Sequence, residues 1–464
     1  MSIWGSFRPI GRGPKYLGIY RAMVQAIERG LLRPGRRLPS QRRLADILGV
    51  SVGTVTRAYN EALDHGLIRG EVGRGTYVRE HSPKELRVVD HSRIPTGTLD
   101  LYQNFPVLIP TVEDRLWSDA LAALRRHDNL ADRMRSSWSE ESERRQRAGA
   151  AWIARTGLAA AEHNIFDCPG VQAALCAIFG ALVRPGDLVV SPSLSHPGVK
   201  VLAAQYSAKI LGLPIDDGLI VPESFEEICR EQSPRLLYCS PTIHPPTTIT
   251  MPEDRRRAVA EIAKRYDVII VEDESAAFLL PDPPLPISAY APERSIFIGD
   301  VWMALSLGLR TTFVLTPDSM MDSMGTAVAA SSGITSPLVA EVATHWIESK
   351  ATDELIAIRR AELEARNDVV REVLGRRNLR SDPHGHHVWL ELPDPWTSDL
   401  FVLRAEKLGV AINGGEWFAV GHGPTPQAVR VCIGIAPDVQ TLRWAVTILD
   451  RLIDQPTAEF RPWI

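Results

Sequence analysis

Apolar residues near the start of the chain recur three or four positions apart between Tyr16 and Arg29. This spacing places them on one buried stripe of a helix. The stripe comprises Leu17, Tyr20, Met23, Val24 and Ile27. We expect this helix to support the two shorter helices that follow it.

The two shorter helices are predicted after the breaker Arg33-Pro34-Gly35. Ser40 precedes the first helix and Gly49 follows it, and these are the residue types that favour the start and the left-handed end of a helix. Ser51 is the predicted cap of the second helix. The sequence therefore predicts two helices joined by a sharp turn.

The second of these helices has two different sides. Its inner side is expected to consist of Val55, Tyr59 and Leu63, and its outer side of Val52, Gly53, Thr54, Thr56 and Arg57. Small side chains and one guanidinium on an exposed helix face suit the major groove of DNA. We expect this to be a recognition helix.

Two short strands are predicted next, Leu67-Ile68-Arg69 and Thr76-Tyr77-Val78, on either side of Gly73-Arg74-Gly75. An arginine between glycines suits contact with phosphates or a minor groove. Helices and strands together predict a small α+β winged helix-turn-helix domain over residues 1–79. The residues expected to contact a double-stranded DNA operator are Arg42, Arg43, Ser51, Thr54, Arg57 and Arg74. Thr54 and Arg57 are expected to read bases, and the other arginines to contact phosphates.

From residue 112 onward, short apolar runs alternate with helical stretches. The runs are Asp187-Leu188-Val189-Val190, Ala208-Lys209-Ile210-Leu211, Arg235-Leu236-Leu237-Tyr238, Val268-Ile269-Ile270-Val271, Ser295-Ile296-Phe297-Ile298 and Thr312-Phe313-Val314-Leu315. This alternation predicts an α/β domain over residues 112–464, with a mainly parallel sheet and flanking helices. Residues 80–111 lack periodicity and are predicted to be a linker that ends in an arm docked on this domain.

Composition and charge support a division of the chain. With 464 residues and 45% hydrophobic content, two or three domains are expected. Residues 1–79 hold thirteen arginines and one lysine against five carboxylates, a formal charge of +9, which leaves −13 on the remainder because the whole chain carries −4. A basic end on an acidic body is typical of a DNA-binding head, although a solvated basic surface on an ordinary helical domain is the alternative.

The sequence also favours some classes of protein over others. It has no apolar run of membrane length and no signal-peptide pattern, so we expect a cytoplasmic protein that does not bind membranes. The five cysteines show no paired spacing and are expected to be reduced core thiols rather than metal ligands. They are Cys168, Cys176, Cys229, Cys239 and Cys432.

Two resemblances cover almost the whole chain. The string from Arg36-Arg37-Leu38-Pro39-Ser40 to Gly73-Arg74-Gly75-Thr76-Tyr77-Val78 resembles the GntR family of bacterial regulators. The large domain resembles the fold-type I aminotransferases through Gly170-Val171-Gln172, Ser240-Pro241-Thr242 to Met251, Glu272-Asp273-Glu274, Gly308-Leu309-Arg310 and Val429-Arg430-Val431. The combination resembles the MocR branch of GntR regulators.

The aminotransferase resemblance implies a pocket for pyridoxal phosphate (PLP). Gly170, Val171 and Gln172 open a helix after a strand and form a backbone cradle for an anion. The resemblance places Asp273 under the pyridine nitrogen, Arg310 at the phosphate, Arg430 at the substrate carboxylate and His196 where relatives stack a tyrosine on the ring. As alternatives, an aspartate at a strand end can cap a helix, a single arginine can be a surface residue, and His196 can be an ordinary satisfied histidine.

The resemblance fails at the residue that carries the chemistry. Aminotransferases hold PLP as a Schiff base to a lysine, in a segment written S-K-x-L-x-x-G-L-R, and this chain has Met303 in the lysine's place. No lysine occurs between Lys264 and Lys350, and a thioether cannot form an imine. We therefore expect no covalently bound cofactor and no transamination, and PLP or pyridoxamine phosphate only as a non-covalent ligand.

Three further departures fall in the same pocket. Ser275 replaces a tyrosine, Thr248 replaces the glycine of a P-T-G turn that needs a left-handed backbone, and Asp300 replaces a hydroxyl that binds phosphate. A carboxylate at position 300 is expected to repel phosphate. Because Arg310 and Arg430 beside Asp273 would be costly to desolvate in an empty site, their presence favours a ligand.

The leading hypothesis is a homodimeric transcriptional regulator. Its large domain would sense a small anionic effector, amino-acid-like or phosphorylated, and would not be an enzyme. The alternatives are a PLP-dependent aminotransferase with a DNA-binding head and a ligand-free dimerisation scaffold.

Overall fold

A computed structural model of the protein describes residues 15–28, 32, 36–64, 68–71, 75–78, 97–126, 130, 134, 140–331, 335–421 and 425–455. The chain divides into two compact units, Met1–Val89 and Asp90–Ile464. Each unit has an apolar core of its own.

The first unit contains helices α1 (Lys15–Glu28), α2 (Gln41–Leu48) and α3 (Val52–Asp64) and strands β1 (Ile68–Glu71) and β2 (Gly75–Val78). The two strands pair antiparallel, with Ile68 opposite Val78. Helix α3 packs on both α1 and α2 around a common core. The predicted helices and the paired strands of a winged helix-turn-helix are therefore present.

The buried faces of two helices differ in detail from the prediction. In α1 the described buried stripe is Ile19, Ala22, Met23 and Ala26, whereas Leu17 and Tyr20 are only half-buried. The side chains of Val24 and Ile27 lie outside the described residues. In α3 the prediction for Leu63 is wrong, since this side chain is 39% exposed. At about 100° per residue, Ala62 returns to the line of Val55 whereas Leu63 turns toward the edge.

The second unit begins with an arm and two helices. Strand β3 (Leu99–Asp100) precedes α4 (Pro110–Arg125) and α5 (Glu140–Ile153). The next strands of the chain are β4 (Ile165–Cys168), β5 (Leu188–Pro192), β6 (Lys209–Leu213), β7 (Ile215–Asp216), β8 (Leu219–Ile220), β9 (Leu236–Cys239), β10 (Ile269–Asp273), β11 (Ser295–Asp300) and β12 (Thr312–Leu315). Strands β7 and β8 form a separate hairpin, and the other seven form the central sheet. The helices in this region are α6 (Val171–Leu182), α7 (Pro197–Gln205), α8 (Pro222–Gln232), α9 (Glu253–Tyr266), α10 (Met321–Ser331) and α11 (Pro337–Glu348).

The strand order of the central sheet is β4-β12-β11-β10-β9-β5-β6. Strand β12 runs antiparallel to both of its neighbours, and the other described pairings are parallel. Separate apolar clusters cover the sheet, one including Phe179 of α6 and the other including Val259 of α9. The six predicted strands and the mainly parallel α/β architecture are confirmed.

A smaller antiparallel sheet was not predicted. The remaining helices and strands of the described chain are α12 (Ala351–Leu374), β13 (Leu379–Ser381), β14 (His387–Glu391), α13 (Ser398–Lys407), β15 (Val410–Ala411), β16 (Asn413–Gly414), β17 (Ala428–Cys432) and α14 (Val439–Ile453). The smaller sheet has the order β13-β14-β17-β16. Strand β15 pairs in parallel with β3 of the arm.

None of the helices in the described part of the chain has the length and apolar character of a membrane span.

Candidate functional site

The turn between α2 and α3 is held by caps at both helix ends. The Ser40 hydroxyl accepts a hydrogen bond from the Arg43 amide at 3.3 Å, and Gly49 ends α2 with a φ of 63°. The Ser51 hydroxyl accepts from the Thr54 amide at 3.2 Å and lies 2.8 Å from the Thr54 hydroxyl. The three predicted caps are therefore present, and they fix the angle at which α3 leaves the turn.

The predicted DNA-contacting residues are distributed over this surface. Arg42, Arg43, Ser51 and Arg57 are exposed, and Thr54 is half-buried. Arg74 lies outside the described residues. Thr56, expected on the outer side, is half-buried and donates to the Gln41 side chain at 2.8 Å, so it links α3 to α2. Their roles in DNA contact stay predictions.

Arg37 is an additional cation beside the two wing strands. The backbone of residues 36–38 pairs with β2, through Leu38 N to Thr76 O and Val78 N to Arg36 O, both at 2.8 Å. Gly75 has a φ of 118°, and a Cβ built there would come within 2.9 Å of the Arg37 Nε. The exposed Arg37 guanidinium therefore lies against the base of the wing. Its place in the Arg-Arg-Leu-Pro-Ser string was the signal that could have identified it.

In the second unit, an anion cradle opens at the start of α6. Gly170 has a φ of 97°, and Val171 is the first residue of the helix. A Cβ at Gly170 would lie 3.8 Å from Arg310 Nε, which places the Arg310 guanidinium beside the helix N-terminus. Arg310 is exposed and makes no hydrogen bond or ion pair with another described residue. Free helix N–H groups and an unpaired guanidinium together attract a phosphate.

Asp273 ends strand β10 in a nearly buried position, 8% exposed. Its Oδ2 accepts a hydrogen bond from the Tyr238 hydroxyl at 2.9 Å, and its Oδ1 accepts from the Ser275 amide at 3.1 Å and from the Ser275 hydroxyl. Ser275 thus stabilises the aspartate from the position of the absent tyrosine. Since a carboxylate can accept about four hydrogen bonds, one acceptor position is left for a ligand donor.

His196 lies at the start of the helix that follows strand β5. It caps α7, with Nδ1 accepting from the Gly198 amide at 3.2 Å. Burial lowers the pKa of the His196 imidazole, Asp273 opposes that shift and Arg430 adds to it, so His196 interacts with both residues. The exposed Gln172 side chain lies against Gly198, where a Cβ would overlap it. His196 is therefore a neutral ring near Asp273 and Arg430.

Arg430 lies on β17 of the small sheet. Its Nη2 donates to the Tyr102 carbonyl at 3.1 Å, and its guanidinium lies 4.7 Å from the centre of the Phe418 ring. Its Nε is buried and has no partner among the described residues. The guanidinium is thus held in place with N–H groups still available to a carboxylate.

Met303 lies in the loop after β11. Its amide donates to Asp300 Oδ2 at 3.0 Å, and its carbonyl accepts from His386 Nε2 at 3.2 Å. Asp300 Oδ1 bonds with the Thr312 hydroxyl at 2.6 Å. Burial raises the pKa of Asp300 to about 8. Asp300 therefore caps this loop, and burial favours its protonated form; the expected repulsion of phosphate stays a prediction.

The altered P-T-G turn keeps its backbone shape without the glycine. Thr248 has a φ of 64°, in the left-handed region that β-branched residues avoid. The Thr248 hydroxyl is buried and unpartnered among the described residues, whereas the Thr247 hydroxyl lies 2.9 Å from His244 Nδ1. The substitution therefore leaves strain in the turn rather than a new conformation.

Two families match the chain in separate regions. Residues 15–78 match the family described as bacterial regulatory proteins, gntR family. Residues 146–449 match the family aminotransferase class I and II.

Similar proteins include both regulators and enzymes. The chain is 29% identical over 450 residues to the uncharacterized HTH-type transcriptional regulator YdeF of Bacillus subtilis, covering 96% of this chain and 95% of the relative. It is 24% identical to the HTH-type pyridoxine biosynthesis transcriptional regulator PdxR of Corynebacterium glutamicum, covering 90% and 92%. Among solved structures, a multiple substrate aminotransferase from Thermococcus profundus superposes with a TM-score of 0.70 at 24% identity, covering 81% of this chain and 97% of that one. This last likeness confirms the fold-type I architecture.

Proposed function

The chain belongs to the aminotransferase class I and II family through residues 146–449 and is a transcriptional regulator of the MocR type; from this premise we propose that its large unit senses a small anionic metabolite without an internal aldimine. We propose that the protein acts as a homodimer in which two heads bind a repeated operator. Its large unit is not an enzyme.

The observation that carries the proposal is a pair of arginines with unused N–H groups. Arg310 has no hydrogen bond or ion pair among the described residues, and the buried Nε of Arg430 is also unpartnered there. Leaving the buried Arg430 Nε unpaired costs about 1–3 kcal/mol, and an anion bound at this donor would recover that cost. Met303 meanwhile offers no amine at the position where an aminotransferase has its lysine.

The two arginines favour a ligand with an anionic group at each end. Gly170 and Arg310 suit a phosphate, and Arg430 suits a carboxylate. His196, which interacts with both Asp273 and Arg430, and Asp273 itself suit an aromatic ring with a basic nitrogen. When bound, PLP would supply an electron-withdrawing ring, but without a lysine it would be held only by these side chains. An amino acid adduct of the phosphopyridoxyl group carries both anionic ends in one molecule.

Regulation requires that the ligand distinguish two states of the protein. A ligand shifts an equilibrium only by its difference in affinity for the two states. We propose that the effector favours one arrangement of the heads in the dimer and so changes operator affinity.

Borohydride trapping separates this proposal from the aminotransferase alternative. Wild-type protein incubated with PLP and then reduced should show no gain of a phosphopyridoxyl mass at residues 300–310. Met303→Lys, which restores the amine, should gain that mass and the yellow imine absorbance. A stable adduct in this segment of the wild type would overturn the proposal.

Calorimetry separates the proposal from the ligand-free scaffold. Wild-type protein should bind N-phosphopyridoxyl-L-alanine reversibly, and Arg310→Ala and Arg430→Ala should each weaken binding by about tenfold or more, the loss expected for a charge-assisted hydrogen bond. Absence of binding to this probe, to pyridoxamine phosphate and to a panel of amino acids would favour the scaffold.

A further inference from the structure

The arm, defined as residues 97–109, lies near the end of the predicted linker segment 80–111 and runs between β15 and β17. The Leu99 amide donates to the Gly409 carbonyl at 2.8 Å, and the Leu101 amide donates to the Ala411 carbonyl at 2.9 Å. On the other side, the Cys432 amide donates to the Leu101 carbonyl at 2.9 Å. The arm is therefore held between β15 and β17, the strand that carries Arg430.

One carbonyl of the arm accepts from three donors. The Tyr102 carbonyl receives Asn413 Nδ2 at 2.6 Å, Arg430 Nη2 at 3.1 Å and Cys432 Sγ at 3.3 Å. A carbonyl oxygen has only two lone pairs, so these bonds compete. A ligand carboxylate at Arg430 is a charged acceptor and can bind both edges of the fork, so it is a stronger partner for the guanidinium than this carbonyl.

The rest of the arm reaches the loop that holds Met303. The Phe105 ring packs edge-on against Trp302, with ring centres 6.1 Å apart. Gly434 allows the close approach of the Phe105 carbonyl, because a Cβ there would lie 2.3 Å from that oxygen. The arm therefore touches the pocket at Arg430 and beside Met303.

A buried arginine ties the arm to the same loop. Arg359 is fully buried and donates through Nε to the Val107 carbonyl at 3.0 Å. Its Nη1 donates to the Ala304 carbonyl at 2.5 Å and to the Leu305 carbonyl. One guanidinium thus holds the C-terminal end of the arm and the loop after Met303 together.

We propose that the arm is the element through which occupancy of the pocket reaches the linker and the head. This inference rests on the effector site proposed above and assigns its means of regulation. A carboxylate on Arg430 removes one of the three donors from the Tyr102 carbonyl, and the two-residue pairing of β3 with β15 loosens. The Arg359 contacts retain the C-terminal end of the arm, so the change is directed toward residues 97–101 and the linker. By reciprocity, DNA that favours one linker arrangement changes ligand affinity by the same factor.

The test uses the full-length protein, N-phosphopyridoxyl-L-alanine as the probe, and a DNA fragment that the protein selects from its own genome. Leu99→Pro removes the amide that bonds to Gly409, at the linker end of the arm and away from the pocket. Thr98→Pro is its matched control, since the Thr98 amide makes no hydrogen bond to a described residue. Calorimetry gives probe affinity, and fluorescence anisotropy gives DNA affinity with and without saturating probe.

In wild type and Thr98→Pro, the probe should change DNA affinity by at least about fivefold, the lower range of allosteric coupling. In Leu99→Pro, probe affinity should stay within about threefold of wild type, while the effect of the probe on DNA affinity should vanish. Deuterium uptake at the Leu99 and Leu101 amides should rise when wild type binds the probe.

Three outcomes overturn the inference. Leu99→Pro can keep the full effect of the probe on DNA affinity, the arm amides can show no change in exchange, or the probe can bind wild type with no effect on DNA. If the probe does not bind wild type at all, the effector site itself falls and the inference falls with it, so the two failures are distinguishable.

Discussion

Thr248 is a single residue whose conformation conflicts with its side chain. A β-branched residue in the left-handed region costs about 1–2 kcal/mol, and its buried hydroxyl adds to that cost. Thr248→Gly should remove both the backbone strain and the buried hydroxyl. The greater conformational freedom of glycine in the unfolded chain should offset part of the gain in stability. We expect the free energy of unfolding to rise by about 1 kcal/mol, measured by thermal or urea denaturation.

Thr247→Gly provides the matched control for that substitution. Thr247 lacks a positive φ and its hydroxyl bonds with His244, so its loss should destabilise the protein. Equal destabilisation by both substitutions would contradict the strain at Thr248.

Asp300 predicts a pH dependence of stability. Its pKa is raised from 3.8 to about 8 by burial. Between these values the folded state holds a proton that the unfolded chain has lost, so the contribution of Asp300 to stability declines as the pH rises. Asp300→Asn should remove this dependence, so the variant should gain stability relative to wild type between about pH 5 and pH 8. A difference in unfolding free energy that is constant over this range would refute the assignment.

Arg57 is the exposed cation on the outer side of α3. If it reads a base, Arg57→Ala should weaken operator binding by about tenfold to a hundredfold, the range of one base-specific contact. The mass of the dimer should stay unchanged in light scattering, because the side chain lies outside the core. An unaltered gel shift would argue against a role in DNA contact.

At the scale of elements, the cap of α3 connects stability to DNA binding. Ser51→Ala removes the acceptor of the Thr54 amide and should cost about 1 kcal/mol of the head's stability. Ser51→Asn keeps a capping oxygen and should retain most of that stability. Both can be measured by thermal denaturation, alongside DNA affinity. Equal melting temperatures for the alanine and asparagine variants would speak against the cap.

The central strands were predictable because a parallel sheet covered on both faces needs continuous apolar runs. The small sheet was not, since two of its strands, β13 and β16, have only three and two residues and show no periodicity. Leu63 was misassigned because Ala58 and Ala62, too small to mark a stripe, complete the inner face of α3 beside Val55 and Tyr59.

The candidate site was likewise only partly predictable from the sequence. Asp273, Arg310 and Arg430 were found because each lies in a recognisable string. The contact between Arg430 and the Tyr102 carbonyl joins residues 328 positions apart, and a backbone acceptor leaves no trace in the sequence. Such a contact emerges only when the fold brings β17 beside the arm.

At the scale of the whole molecule, the charge division predicts that DNA affinity depends strongly on salt. The head carries +9 and the remainder −13. Each phosphate neutralised by the head releases counterions, so DNA affinity should fall by about 10³-fold or more between about 50 and 200 mM salt if six or more phosphates are contacted. Anisotropy titrations over this range provide the measurement. A DNA affinity independent of salt would contradict the predicted role of the head.

The thioether at position 303 has a kinetic consequence. An imine-anchored cofactor stays with its protein through many cycles, but an occupant held by hydrogen bonds and charge leaves at its own dissociation rate. A protein of this kind follows the concentration of the metabolite as it falls as well as when it rises. Replacing lysine with methionine at this one position would thus convert a permanently bound cofactor into a ligand whose occupancy follows its own concentration.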